Sequence, residues 1–181
     1  DYTIVPFRGE YYYLSREKAG ILRSIVYDTP DLQYPFLGIH WTRSVSGLVR
    51  VGPNAILALG REAYDWRSSH PQESLNMVCD RRFWKMLANS EFLRMLSRNA
   101  RTSLSKAAFL RQAAALIRGA EPRDFSPGNS GIRAQLIDRE GRLCDDLILE
   151  TKGAALHIIN VVSPDLTCSI PFAEYLANKL L

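Results

Sequence analysis

The chain has 181 residues, 23 basic and 19 acidic, for a net charge of +4; 46% are hydrophobic, 23% charged and 10% aromatic. This is the composition of one globular domain, or of one domain and part of another, and it excludes a disordered chain, a collagen and a disulfide scaffold. No uncharged apolar run approaches the ~20 residues of a spanning helix. Cys79, Cys144 and Cys168 are scattered and form no C-x-x-C metal or redox motif, so reduced thiols in a cytoplasmic setting are expected.

Asp1 runs straight into strand-like sequence with no signal peptide ahead of it, as in a chain cut from something longer. Residues 1–66 read as β. Residues 3–5 and 11–14 are β-branched and aromatic runs on either side of a connection at 6–10, and 20–27 is a third strand, closed by the turn signal Asp28-Thr29-Pro30-Asp31. Residues 36–42 and 48–51 flank a loop with Gly47 placed for a left-handed conformation, which predicts a hairpin stopped by Gly52-Pro53-Asn54.

Residues 71–118 read as helix, with Pro71 in the first turn and apolar residues at three- and four-residue steps from Leu75 to Leu96. A last helix opens at 103–106 and ends at Gly119 and Pro122. Residues 130–137 and 142–150 bracket Asp138-Arg139-Glu140-Gly141 as a second hairpin, and 156–162 reads as a buried strand. Ser163 as N-cap, followed by Pro164, starts a final helix over 166–180. Helices clustered between groups of hairpin strands predict an α+β fold with a mainly antiparallel sheet. The last strand, loop and helix are instead the kind of unit that ends a nucleotide-binding α/β domain.

No G-x-G-x-x-G, Walker A, G-x-S-x-G or H-E-x-x-H sequence is present, and His40, His70 and His157 are too dispersed to suggest a zinc site, so no metal is expected. Five weaker features remain, each with a bland alternative. Gly9 lets a backbone approach a ligand and Arg8 suits a two-point grip on a carboxylate; the alternative is an exposed Arg8–Glu10 pair. Strand alternation places His40 and Thr42 opposite Trp41, so His40 is a general base for a hydroxyl proton or a hydrogen-bonded structural residue. A small-residue loop ending at Gly131 delivers Arg133 and Gln135 onto one strand face, for planar carboxylate recognition or as surface residues. The helix start Ser163-Pro164-Asp165-Leu166-Thr167 offers backbone N–H groups and a dipole to an anion, or is an ordinary cap. Residues 80–118 carry nine basic and two acidic side chains, a surface for anionic lipid or nucleic acid, or a solvated face. Phe83, Trp84 and Phe92 read as core rather than as stacking platforms, which argues against nucleic acid.

Several blocks share an order and spacing. They are Ile4-Val5-Pro6-Phe7-Arg8-Gly9-Glu10-Tyr11-Tyr12, Pro35-Phe36-Leu37-Gly38-Ile39-His40-Trp41-Thr42-Arg43, Val51-Gly52-Pro53-Asn54-Ala55, Gly131-Ile132-Arg133-Ala134-Gln135 with Asp138, and Ser163-Pro164 with Thr167 and Ser169. Together they resemble the L-2-hydroxyglutarate oxidases/dehydrogenases, FAD-dependent oxidoreductases of the D-amino-acid-oxidase-like group, over nearly the whole chain. The resemblance implies a C-terminal half. Residues 1–153 would be the substrate-binding domain, with a helical insertion at about 71–118. Residues 154–181 would be the closing strand and helix of a Rossmann-like FAD domain, whose N-terminal part and most of the FAD site lie outside this chain.

The implied reaction oxidises L-2-hydroxyglutarate to 2-oxoglutarate by hydride transfer to flavin, which this piece alone would not perform. The implied roles are His40 as base, Arg133 and then Arg8 as grips for the dicarboxylate, and Ser163, Pro164, Asp165, Leu166 and Thr167 around the charge of the reduced ring. Where the family favours Ala-Pro-Ser-Pro-Ala-Ala, this chain has Val161-Val162-Ser163-Pro164-Asp165-Leu166, so Asp165 brings a carboxylate to that helix start and opposes reduction if it faces the ring. The resemblance also implies a cytoplasmic location at the inner face of the cell membrane, with the basic helices as the contact. Two other readings stay open: an amino-acid or sarcosine-type flavin oxidase, and a non-catalytic basic docking domain.

Overall fold

A computed structural model describes residues 1–29, 36–161 and 166–180. The fold is α+β, and every ladder among the described strands is antiparallel, as the sequence predicts. The chain forms two compact units, Asp1–Leu143 and Cys144–Leu181.

In the first unit, β1 (Thr3–Gly9) lies between β5 (Ile56–Leu57) and β7 (Gly131–Ile137). The connection expected at 6–10 is therefore mostly strand. Pro6 is tolerated because its peptide groups face the β5 side. Pairing there begins only at Phe7 and Arg8, and the Pro6 carbonyl accepts from the Ala58 N–H at 3.0 Å. A second sheet has the order β3 (His40–Arg43), β4 (Val49–Gly52), β2 (Tyr12–Leu14), β6 (Phe125–Pro127). β3 and β4 form the predicted hairpin, with Gly47 at φ +81°. The strand expected at 20–27 does not form. Arg16–Ile21 is a 3-10 helix, and Val26 makes an isolated bridge to Trp41 through two backbone hydrogen bonds of 2.8 and 2.9 Å.

The helical zone is four helices: α1 (Pro71–Cys79), α2 (Arg81–Leu87), α3 (Ser90–Leu104) and α4 (Lys106–Ala114). Asp80, Asn89 and Ser105 divide it. Each side chain accepts a backbone N–H from the turn that follows, which ends one helix by starting the next. α2 and α3 cover one face of the first sheet, packing Phe83, Met86 and Phe92 on Val5, Phe7 and Ile137. α4 covers the second sheet, with Phe109, Leu110 and Ala113 against Leu14, Trp41, Val49, Val51 and Phe125. The Trp41 indole N–H donates to the Ala113 carbonyl at 3.0 Å. Each large apolar side chain so buried contributes about 1.5–3 kcal/mol, enough to fix the helices to the sheets.

In the second unit, β8 (Ile148–Lys152) and β9 (Ala155–Asn160) form a hairpin around Gly153 at φ +61°, followed by α5 (Ser169–Leu180). Residues 142–150 thus do not return along β7 as expected. Past a single Ile137–Leu143 bridge they turn to the local partner β9, which is separated from β8 by only two residues. The expected boundary between residues 153 and 154 falls in this hairpin turn. β9, expected to be buried, is largely exposed. The final helix begins at Ser169 rather than Leu166, and its expected cap at Ser163 and Pro164 lies outside the described residues. Among the described residues, no helix is long and apolar enough to cross a membrane, and no group of three or more His, Cys, Asp or Glu could hold a metal ion.

Candidate functional site

His40 opens β3. Its neighbour Trp41 is 1% exposed and points into the core, so His40 and Thr42 face the other way. Gly38, at φ +72°, brings its carbonyl to 2.9 Å from His40 Nδ1. A carbonyl can only accept, so Nδ1 carries the proton and Nε2 keeps its lone pair in the neutral ring. That is the tautomer a general base needs.

Arg133 stands opposite Phe7 in the β1–β7 register and shares its face of the sheet with Phe7 and Gln135. Its Nε donates to Gln135 Oε1 at 3.1 Å, and its guanidinium lies 5.3 Å from the centre of the Phe36 ring. Phe36 in turn packs on Phe7, with ring centres 5.1 Å apart. A guanidinium oriented by a ring face and by a hydrogen bond from Nε has the planar geometry that suits contact with a carboxylate.

Arg8 stands opposite Ile132 and Ile56, so it projects from the other face of the same sheet. It is 3% exposed, lies 4.4 Å from the centre of the Trp66 ring, and donates from Nη2 to Glu10 Oε1 at 3.1 Å. Its Nε is buried and has no hydrogen-bond partner among the described residues. The carboxylate that Arg8 holds is the protein's own. The structure does not bring Arg8 and Arg133 together, and His40 belongs to the other sheet.

What ties the two sheets is a corner that the sequence reading overlooked. Residues 9–11, between β1 and β2, press against residues 52–54, between β4 and β5. A Cβ at Gly9 would sit 2.6 Å from Pro53 Cβ, and one at Gly52 would sit 2.6 Å from the Glu10 carbonyl oxygen. Glycine permits both approaches. From the other side, the Gly128 N–H donates to the Tyr11 carbonyl at 2.8 Å. Asn54, 2% exposed, accepts the Glu10 N–H at 2.9 Å and donates to Glu10 Oε2 and Thr102 Oγ1, each at 3.1 Å. Burial pushes the Tyr11 hydroxyl above its ordinary pKa, and the Arg50 guanidinium pulls it back only in part. Burial and then the Glu10 charge raise that of Tyr12. Both are neutral phenols near pH 7.

In the second unit, Ser163, Pro164 and Asp165 lie outside the described residues. Leu166 and Thr167 occupy the turn that leads into the twelve-residue α5, and Leu166 is 83% exposed. Backbone N–H groups at the positive end of a helix dipole form a donor set that fits a negatively charged ring edge.

No protein-family model matches the chain. It is 35% identical over 179 residues to the L-2-hydroxyglutarate dehydrogenase of Escherichia coli (strain K12), covering 99% of this chain and 42% of that protein. Against the enzyme of the same name from Indibacter alkaliphilus the identity is 36% over 170 residues, 94% of this chain and 42% of that one. Against the human mitochondrial L-2-hydroxyglutarate dehydrogenase it is 33% over 193 residues, 99% and 40%. The chain is thus related to oxidoreductases. More narrowly, it is homologous over nearly its whole length to the C-terminal part of the L-2-hydroxyglutarate dehydrogenases, and spans about two fifths of the length of these relatives.

Proposed function

We propose that this chain is the substrate-binding part of an FAD-dependent oxidoreductase that converts L-2-hydroxyglutarate to 2-oxoglutarate. The observation that carries the reading is the kinship with L-2-hydroxyglutarate dehydrogenases across 99% of the chain. The local geometry supports it. His40, with Nδ1–H directed at the Gly38 carbonyl, accepts the C2 hydroxyl proton at Nε2. Arg133, stacked on Phe36, grips a substrate carboxylate, whereas Arg8, on the other face of the sheet and paired with Glu10, adds no direct grip.

Bound FAD would supply the acceptor for the C2 hydride. The residues of this chain proposed to meet it are Ser163, Pro164, Asp165, Leu166 and Thr167, of which Leu166 and Thr167 lead into α5 and carry backbone N–H groups that suit a negatively charged ring edge. Most of the FAD site would come from an N-terminal FAD domain outside this chain, so the chain alone would bind flavin weakly and turn over nothing. The protein would work in the cytoplasm, with its basic helices against the inner face of the cell membrane.

The test is anaerobic mixing of the full-length protein with L-2-hydroxyglutarate. Flavin bleaching with formation of 2-oxoglutarate is expected, with sarcosine and amino acids inert. Bleaching by an amine and not by the hydroxy acid would replace this reading with the amine-oxidase one. A full-length protein without flavin would favour the docking domain.

A further inference from the structure

We propose that Asn54 and Glu10 are positioning residues that fix the base His40 relative to the clamp Arg133; the inference rests on the functional reading above. His40 and Arg133 stand in different sheets, so neither strand pairing alone sets their separation. Each is nonetheless tied by register to the same corner. His40 pairs with Gly52, and Gly9 pairs with Gly131, two residues from Arg133. The spacing of base and clamp is therefore set by how residues 9–11 dock on residues 52–54.

Asn54 locks that docking with its whole amide. Oδ1 accepts the Glu10 N–H, and Nδ2 donates one hydrogen to Glu10 Oε2 and the other to Thr102 Oγ1. A flipped amide would set donor against donor at the Glu10 N–H and acceptor against acceptor at Glu10 Oε2, so only one orientation satisfies the group. Thr102 passes the restraint into α3, where its hydroxyl donates to the Asn99 carbonyl at 2.7 Å. Asn99 in turn accepts the Ala55 N–H at 3.0 Å, which pins the residue after Asn54 to the same helix. Glu10 completes the device. One oxygen takes Asn54, and the other takes buried Arg8, so the Glu10 side chain is held from two sides. No described bond joins Asn54 or Glu10 to His40 or Arg133, so their influence on the chemistry passes through the corner.

The experiment uses the full-length flavoprotein and the variants Asn54→Asp, Glu10→Gln with Asn54→Asp, and Thr102→Val. Asn54→Asp sets two carboxylates against each other. The double variant restores a donor facing an acceptor with the charge unchanged overall. The first-order rate of flavin bleaching at saturating L-2-hydroxyglutarate is independent of how much protein is folded. It is expected to fall about 10- to 100-fold in Asn54→Asp, the scale of a 1 Å misplacement. It is expected to return to within about threefold of wild type in the double variant. Binding of 2-oxoglutarate by calorimetry, which reads the Arg133 grip without turnover, is expected to change less than about threefold. Thr102→Val, which cuts only the α3 arm, is expected to slow bleaching in the same direction and by less, and it serves if Asn54→Asp does not fold.

A wild-type bleaching rate in Asn54→Asp or, if that variant does not fold, in Thr102→Val overturns the inference alone. So does failure of the double variant to recover, or a loss of product binding equal to the loss of rate. A wild-type protein that L-2-hydroxyglutarate does not bleach overturns the functional reading and this inference with it.

Discussion

The corner between the sheets makes a sharp prediction at Gly52. Its φ is +131°, and an added Cβ would lie 2.6 Å from the Glu10 carbonyl oxygen and 3.2 Å from Tyr11 Cα. Both are backbone atoms, so no side-chain rotation relieves the contact. A non-glycine residue held in this part of dihedral space costs about 1–3 kcal/mol, and overpacking of a tight contact costs about 1–3 kcal/mol. Gly52→Ala is therefore expected to destabilise by about 3 kcal/mol, a fall in Tm of about 6–12 °C for a domain of this size. Gly131 is the internal control. It pairs with Gly9 across the sheet, yet a Cβ there meets nothing within 4 Å. Gly131→Ala is expected to be neutral or to stabilise by up to about 1 kcal/mol, through lost freedom of the unfolded chain. Thermal unfolding followed by circular dichroism decides the matter. A Gly52→Ala protein melting with the wild type, or a Gly131→Ala protein melting as low as Gly52→Ala, would refute the argument.

Three further outcomes are expected. Arg133→Ala in the full-length protein raises KM for the dicarboxylate by about 10- to 100-fold, the loss of a charged hydrogen-bonding partner, and Arg133→Lys recovers little because a point charge cannot reproduce the planar contact; steady-state kinetics report it. Asp80 caps α2 and bonds the Arg82 guanidinium at 2.7–3.1 Å, and that side-chain contact above all, helped by the Arg82 backbone N–H, holds its carboxyl below the ordinary 3.8. A carboxyl depressed on folding adds stability at pH values above its unfolded pKa, and this is lost as pH falls through the folded value. Asp80→Asn is thus expected to be about 1 kcal/mol less stable at pH 7, with the gap closing below about pH 4 in urea titrations. Finally, the basic helices are expected to carry the protein onto anionic vesicles at low salt and release it at high salt; no co-sedimentation at low salt would remove the membrane contact.

Local signals in the sequence translate well into this fold. Gly47 marked the β3–β4 hairpin, Pro71 the first helix, and the strand alternation around Trp41 correctly set His40 on the face away from the core. Gly9 was legible as a point of close approach, although what approaches it is Pro53. The failures are non-local. Residues 20–27 have strand composition, but only Val26 finds a partner there. Pro6 reads as a break unless it is known that β5 is two residues long and starts beyond it. Asn54 after a Gly-Pro pair reads as a turn residue; its partners Glu10 and Thr102 are 44 and 48 positions away, and nothing in their spacing announces the bonds. Arg133 and, after it, Arg8 both read as carboxylate grips in sequence. Register alone separates them, because a one-residue offset puts a side chain on the opposite face of a sheet.

The close contacts at Gly9, Gly52 and Gly128 also bear on how this scaffold can change. Phe36, Arg133 and Gln135 lie outside that junction, so their side chains can be exchanged without disturbing the peptide planes that seat the histidine ring. Selectivity for the acid and readiness for proton transfer are in this sense mechanically separable. A laboratory selection for longer or shorter diacids is expected to collect its productive changes at positions 36, 133 and 135, and none at the three glycines.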